Sequence, residues 1–336
     1  MQRWVVAAAS LAMIAALAGC GDDSGEASEG GLRVVASFYP LAEAAERVGG
    51  DLVAVTNLTP AGTEPHDLEL TPDQVDELED ADVVLYVGQG FQPAVEEIVE
   101  RRDGTSIDVL EGMALEEGAP DEHGHEEDED QADEEGEDHA DEEGEEGEDH
   151  ADEEEGEHAE SGLDPHFWLD PQRFVDAVGR IEEALADESP DDAADFAANA
   201  NEYRAEIDTL DDEFADGLAT CERHDVVTSH AAFHYLAERY GLTQRAISGV
   251  SPESEPDPDR LAELSDFIDA NGVTTVFYET LVPADLAETL ANEAGVTTAV
   301  LNPIEGLTDA QLDDGATYTS VMRENLGALK DALGCS

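Results

Sequence analysis

The chain has 336 residues, enough for two domains of roughly 100 to 200 residues each. Its 86 Asp and Glu against 14 Lys and Arg give a formal net charge of −72, which repels nucleic-acid phosphates and anionic lipid surfaces and excludes nucleic acid as a partner. The acidity is global: residues 121 to 160 hold 25 acidic side chains and 5 histidines, yet without them 61 acidic groups still face 14 basic ones. With a single lysine, Lys330, the composition fits a halophilic source, where salt screens the self-repulsion.

In chain order, Arg3 precedes an apolar stretch from Trp4 to Ala18, which at about 15 residues falls short of the roughly 20 that span a membrane. Residues 1–20 read as a signal peptide, with an uncleaved anchor as the alternative. The ending Leu17-Ala18-Gly19-Cys20 resembles the lipobox of bacterial lipoproteins, which implies Cys20 as a lipidated N-terminal residue. Residues 21–31, rich in Gly, Ser and acid, read as a flexible tether.

From 32 to 188 an N-terminal α/β lobe is expected. Leu32–Ser37, Val53–Leu58, Val83–Val87 and Ile107–Val109 read as strands, alternating with helices over Leu41–Val48, Pro72–Asp80 and Phe91–Arg102. Pro72 suits a first helical turn with Thr71 as N-cap. The segment 116–162 has no apolar periodicity and contains an 11-residue echo, Gly136 to Glu143 recurring at Gly147 to Glu154. It cannot bury a core and is expected to be disordered without metal.

Asp191–Ala219 carries apolar residues at helical spacing, so 189–220 reads as one long, rigid connecting helix about 40 Å in length. A second lobe, 221–336, repeats the alternation. Its strands are expected at Val226–Ser229, Thr243–Ser248, Val273–Tyr278 and Thr297–Leu301, and its helices at Ala231–Tyr240, Asp259–Ala270, Pro283–Ala294 and Ala316–Leu333. Cys221 and Cys335 remain, and an even pair in an exported chain is expected to be bridged, with two buried thiols as the alternative.

Three histidines stand in short, distinctive segments: Glu64-Pro65-His66-Asp67, Asp164-Pro165-His166-Phe167-Trp168 and Thr228-Ser229-His230. Imidazole is the commonest side-chain zinc ligand, and a metal needs ligands gathered from separate elements. Ligands of open α/β sheets bind beyond the carboxyl ends of strands. His230 and Glu279 each directly follow a strand, and His66 lies in a loop after one. His234 and His224 read as packing or surface residues.

Taken together, the Pro-His-Asp, Asp-Pro-His-Phe-Trp-Leu, Thr-Ser-His-Ala-Ala-Phe and Val-Phe-Tyr-Glu-Thr segments and the long helix resemble the zinc/manganese solute-binding lipoproteins of bacterial ABC transporters, from about Leu32 to Cys335. The resemblance implies two similar lobes, each a mainly parallel sheet flanked by helices, with the metal site in the cleft. It further implies extracytoplasmic capture of Zn(II), a lipid-anchored position on the outer face of the membrane, and delivery to a permease by a monomeric protein that is not an enzyme. His66, His166 and His230 match the family's ligand positions, and three imidazoles favour zinc over manganese. Where relatives carry Asp, this chain has Asn302, so the fourth ligand is expected to be Glu279 or water, with Glu64 and Asn302 as alternatives. His123, His125, His139, His150 and His158 read as an auxiliary zinc collector or as part of a solvated linker. A manganese binder, a zinc-dependent hydrolase using Glu279 as base, and an adhesin or zinc buffer without a permease are the competing readings.

Overall fold

A computed structural model describes residues 31–116 and 163–336, apart from 253, 255 and 257. The expected signal peptide, lipidated Cys20, nearly all of the tether, and the acidic tract with its five histidines lie outside the described residues.

The first lobe holds β1 (Leu32–Ala36), β2 (Val53–Asn57), β3 (Val83–Tyr86) and β4 (Thr105–Asp108), and the second holds β5 (Asp225–Thr228), β6 (Thr243–Ala246), β7 (Thr275–Tyr278) and β8 (Thr297–Val300). Among the described residues, these eight strands pair in parallel, in the orders β2-β1-β3-β4 and β6-β5-β7-β8. The two lobes therefore repeat one topology. Each sheet reverses its winding between its first and third strands, and there a crevice opens beyond the strand ends.

Helices cover the sheets: α1 (Tyr39–Gly49), α2 (Pro72–Asp80) and α3 (Pro93–Arg101) in the first lobe, then α4 (Pro171–Glu188) and α5 (Ala193–Leu218). The second lobe adds α6 (His234–Tyr240), α7 (Pro258–Asn271), α8 (Asp285–Ala294), the short α9 (Asp309–Asp313) and α10 (Tyr318–Leu333). Thr71 closes a capping box with Gln74 at the start of α2, with Pro72 in the first turn, as the local sequence requires.

α5 has 26 residues and is about 39 Å long at 1.5 Å per residue. It is packed along its length. Phe196, Ala200, Tyr203, Ile207, Leu210, Phe214 and Leu218 are buried at helical spacing and belong to a cluster that runs from Val34 and Phe38 through Trp168 and Phe174 to Phe233, Leu301 and Leu329. A core continuous across both lobes resists wide hinge opening, because closely packed interiors deform poorly. The α4 helix, unanticipated within the first lobe, joins this core through Phe174, Ala177, Val178, Ile181 and Leu185.

Cys221 and Cys335 form a disulfide across 114 residues of sequence. It fastens the segment after α5 to the end of α10, where Glu222 N and Arg223 N both donate to the Leu333 carbonyl at 3.1 Å. Among the described residues, no helix is long and apolar enough to cross a membrane.

Candidate metal centre

Four loops meet between the lobes. His66 lies in the loop between β2 and α2, and its backbone N–H donates to Glu64 Oε1 at 3.1 Å. His166 enters just before a 3-10 turn, Phe167–Leu169. His230 follows β5 at the switch point of the second sheet. Glu305 sits in the buried loop after β8.

The three expected histidines do converge, and the carboxylate among them is Glu305. Its Oε1 lies 3.2 Å from His166 Nε2, 3.2 Å from His230 Nε2 and 3.5 Å from His66 Nε2. The four donor atoms all lie within 4.8 Å of one another. A tetrahedral zinc with ligands at 2.0–2.1 Å has ligand-to-ligand edges of about 3.3 Å, so these three separations match that shape. His166, His230 and Glu305 are essentially inaccessible to solvent. The Nε2 atoms of His66 and His166 and Oε2 of Glu305 are buried without a proper hydrogen-bond partner, an arrangement that costs free energy unless a ligand satisfies it.

Glu279, expected as the fourth donor, is not part of this four-residue cluster. Its Oε1 lies 2.6 Å from His230 Nδ1, the ring nitrogen opposite the convergent Nε2. Neighbouring β5 and β7 end side by side, which brings Glu279 against the flank of the His230 ring. Asp164 Oδ1 holds His166 in the same way, 2.7 Å from Nδ1 and accepting from the His166 backbone at 2.9 Å. An Nδ1–H donated to a carboxylate fixes the ring and leaves the Nε2 lone pair for a metal. Asn302 is engaged in hydrogen bonds of its own loop. Its Oδ1 accepts from Ile304 N at 2.8 Å, and its backbone pairs with the Asn325 amide at 2.8 and 2.7 Å. These bonds shape the turn that presents Glu305, with Ile304 at φ +59°.

The electrostatics follow from burial and the paired charges. Burial lowers the affinity of His230 for a proton, but Glu279 and Glu305 outweigh it and hold the imidazole well above its usual range. His166 is raised for the same reason by Asp164 and Glu305, whereas burial dominates at His66 and lowers it. Burial would raise Glu305, yet the three rings hold it well below the ordinary carboxylate range. Burial and the Glu305 carboxyl push Glu64 up to about 9. His234 opens α6 outside the centre, 3.1 Å from Glu116 Oε2, and His224 is exposed.

Glu305 follows no strand directly and is the fifth residue past the end of β8, in an irregular loop. Its one local signal is that it is the only charged side chain between Leu301 and Leu307.

The family described as "Zinc-uptake complex component A periplasmic" matches residues 34–332. The zinc-binding lipoprotein AdcA of Streptococcus pneumoniae is 36% identical over 306 residues, covering 90% of this chain and 56% of that protein. The chain thus spans about half the length of AdcA. The high-affinity zinc uptake system protein ZnuA of Bacillus subtilis is 34% identical over 324 residues, covering 94% of this chain and 93% of the relative. Among solved structures, the Zn(II)-bound ZnuA-like domain of S. pneumoniae AdcA superimposes with a TM-score of 0.69 at 34% identity, covering 90% of this chain and 99% of the domain. The laminin-binding protein Lmb of Streptococcus agalactiae, described as an adhesin with metal transporting activity, gives 0.73 at 25% identity, covering 90% of this chain and 100% of its own. With the match extending from the first strand of the first lobe to the last helix of the second, the chain belongs to the ZnuA family of zinc-uptake components.

Proposed function

We propose that the chain captures Zn(II) outside the cytoplasm with His66, His166, His230 and Glu305 and delivers it to an ABC-type permease. The observation that carries this reading is the convergence of three Nε2 atoms on one oxygen of Glu305 at 3.2 to 3.5 Å. Three imidazoles and one carboxylate suit zinc better than manganese, which favours oxygen-rich, octahedral surroundings. Four protein donors complete a tetrahedron and leave no position for the bound water that a zinc hydrolase needs. Capture and release fit this donor set better than hydrolysis.

In the same reading, residues 32–188 and 221–336 are the two lobes and 189–220 the connector. Cys20 anchors a monomer to the outer face of the membrane, and the tract over 116–162 gathers zinc near the cleft by raising its local concentration.

Calorimetric titration of zinc and manganese into the full chain and into His230→Ala tests the reading. One tight zinc site, weaker manganese binding and a large loss of zinc affinity in the variant are expected. Equal affinity for zinc in both proteins contradicts it.

A further inference from the structure

Trp168 joins the two ligand loops that come from opposite lobes. It is fully buried, two residues after His166, and its indole Nε1–H donates to the Pro303 carbonyl at 2.7 Å, two residues before Glu305. A buried indole N–H needs an acceptor, and here the acceptor belongs to the loop that carries the carboxylate donor. Around the ring stand Phe38 at 4.8 Å, His166 at 5.2 Å and Phe91 at 5.5 Å between centroids. Phe91 in turn lies edge-on to His66 at 4.6 Å. One side chain therefore touches the surroundings of three of the four donors.

Trp168 is itself held from behind. Tyr318 Oη donates to the Trp168 carbonyl at 2.6 Å, and Tyr318 N donates to Glu43 Oε2 at 2.6 Å. Glu43, buried on α1, also accepts from Tyr203 Oη of α5 at 3.2 Å. The chain of contacts runs from the first lobe through the start of α10 to both ligand loops.

We propose that Trp168 is a positioning residue of the metal centre: its bond to Pro303 sets the span between His166 Nε2 and Glu305 Oε1, and Tyr318 and Glu43 keep Trp168 in place. The proposal rests on the reading that these donors hold zinc. A site of this kind must be held to within about half an ångström. A phenylalanine at 168 keeps the aromatic packing but leaves the Pro303 carbonyl without its donor and frees the Glu305 loop.

The test uses the full chain as wild type, Trp168→Phe, Tyr318→Phe and Phe196→Leu, the last a buried α5 side chain outside both ligand loops. Zinc affinity is measured by chelator competition, Co(II) absorption bands report the coordination geometry, and metal-free melting reports stability. Trp168→Phe is expected to weaken zinc by about tenfold, the equivalent of one lost buried hydrogen bond, with shifted Co(II) bands. Tyr318→Phe should move both readouts in the same direction by less, and Phe196→Leu should lower the melting temperature alone. Wild-type affinity and wild-type bands in Trp168→Phe overturn the proposal even if that variant melts early. Should Trp168→Phe not fold, Tyr318→Phe decides: weaker zinc with shifted bands supports the proposal, and unchanged values overturn it. A wild-type chain that binds no zinc overturns the capture reading itself and this proposal with it, whereas tight wild-type binding with unaffected variants overturns only the positioning role.

Discussion

Replacing Glu279 with alanine separates a metal ligand from a residue that orients one. Glu279 Oε1 is 2.6 Å from His230 Nδ1 and faces the ring nitrogen turned away from the other donors. Its removal leaves all four donors in place but releases the His230 ring. Loss of such an outer partner costs about 10- to 100-fold in metal affinity, or roughly 1.4 to 2.7 kcal/mol at 1.36 kcal/mol per factor of ten. Glu305→Ala removes an oxygen that lies 3.2 to 3.5 Å from all three Nε2 atoms and takes away the only negative charge among the four donors, so its loss should be larger. Competition with a zinc chelator at pH 7.5 measures both, and the Co(II)-loaded proteins report coordination. Glu279→Ala should keep four-coordinate bands while binding more weakly, and Glu305→Ala should change them. Abolished binding in Glu279→Ala with unchanged binding in Glu305→Ala would refute the assignment.

Other consequences follow from the same residues. Glu43 is buried, and although Tyr39, Tyr318, Tyr203 and Arg47 oppose the effect, burial wins and raises its carboxyl above the ordinary value. A carboxyl raised on folding contributes stability below its unfolded pKa that is lost as pH rises through the folded one. Glu43→Gln should therefore flatten the decline of metal-free stability on that alkaline side, and an unaltered pH profile by denaturant titration would contradict it. A net charge of −72 predicts a melting temperature that climbs between roughly 0.1 M and 2 M KCl as the screening length shrinks to a few ångströms; full stability in dilute buffer counts against a halophilic design. Cys221→Ala with Cys335→Ala, which opens a link across 114 residues, should cost about 4 to 5 kcal/mol in unfolding free energy. A chain lacking residues 121 to 160 should retain one tight zinc site and lose several weak ones, and unchanged stoichiometry by metal analysis would reject the collector role.

The regular framework was legible because its causes are local. Apolar runs such as Val83 to Val87 need burial on both faces, and Thr71 with Pro72 starts α2 by side-chain capping. The long α5 declared itself by apolar spacing without Gly until Gly217. α4 has apolar residues at helical spacing and Asp170 accepting from Gln172 N at its start, but Gly179 in its middle weakens the helical pattern. The structure starts α6 at His234 rather than at Ala231, and Ala231 N donates instead to the Gly249 carbonyl at 2.9 Å.

The centre was legible to the extent that its donors sit at strand ends or in recognisable segments. His66, His166 and His230 met that condition. Glu279 did as well, and it stands beside the centre but on the wrong side of an imidazole, a distinction set by the lateral pairing of strands and not by order along the chain. Glu305 depends on a turn built by Asn302 together with Asn325 and the Trp168 indole, which bond to it across 23 and 135 residues of sequence. No local pattern encodes such a convergence.

Zinc K-edge X-ray absorption on the full chain loaded with one equivalent of zinc tests the central claim most directly. The account predicts a four-coordinate shell of three imidazole nitrogens and one carboxylate oxygen at about 2.0 to 2.1 Å, with one imidazole lost in His66→Ala, His166→Ala or His230→Ala. A six-coordinate, oxygen-rich shell, or one unchanged by all three substitutions, would contradict it.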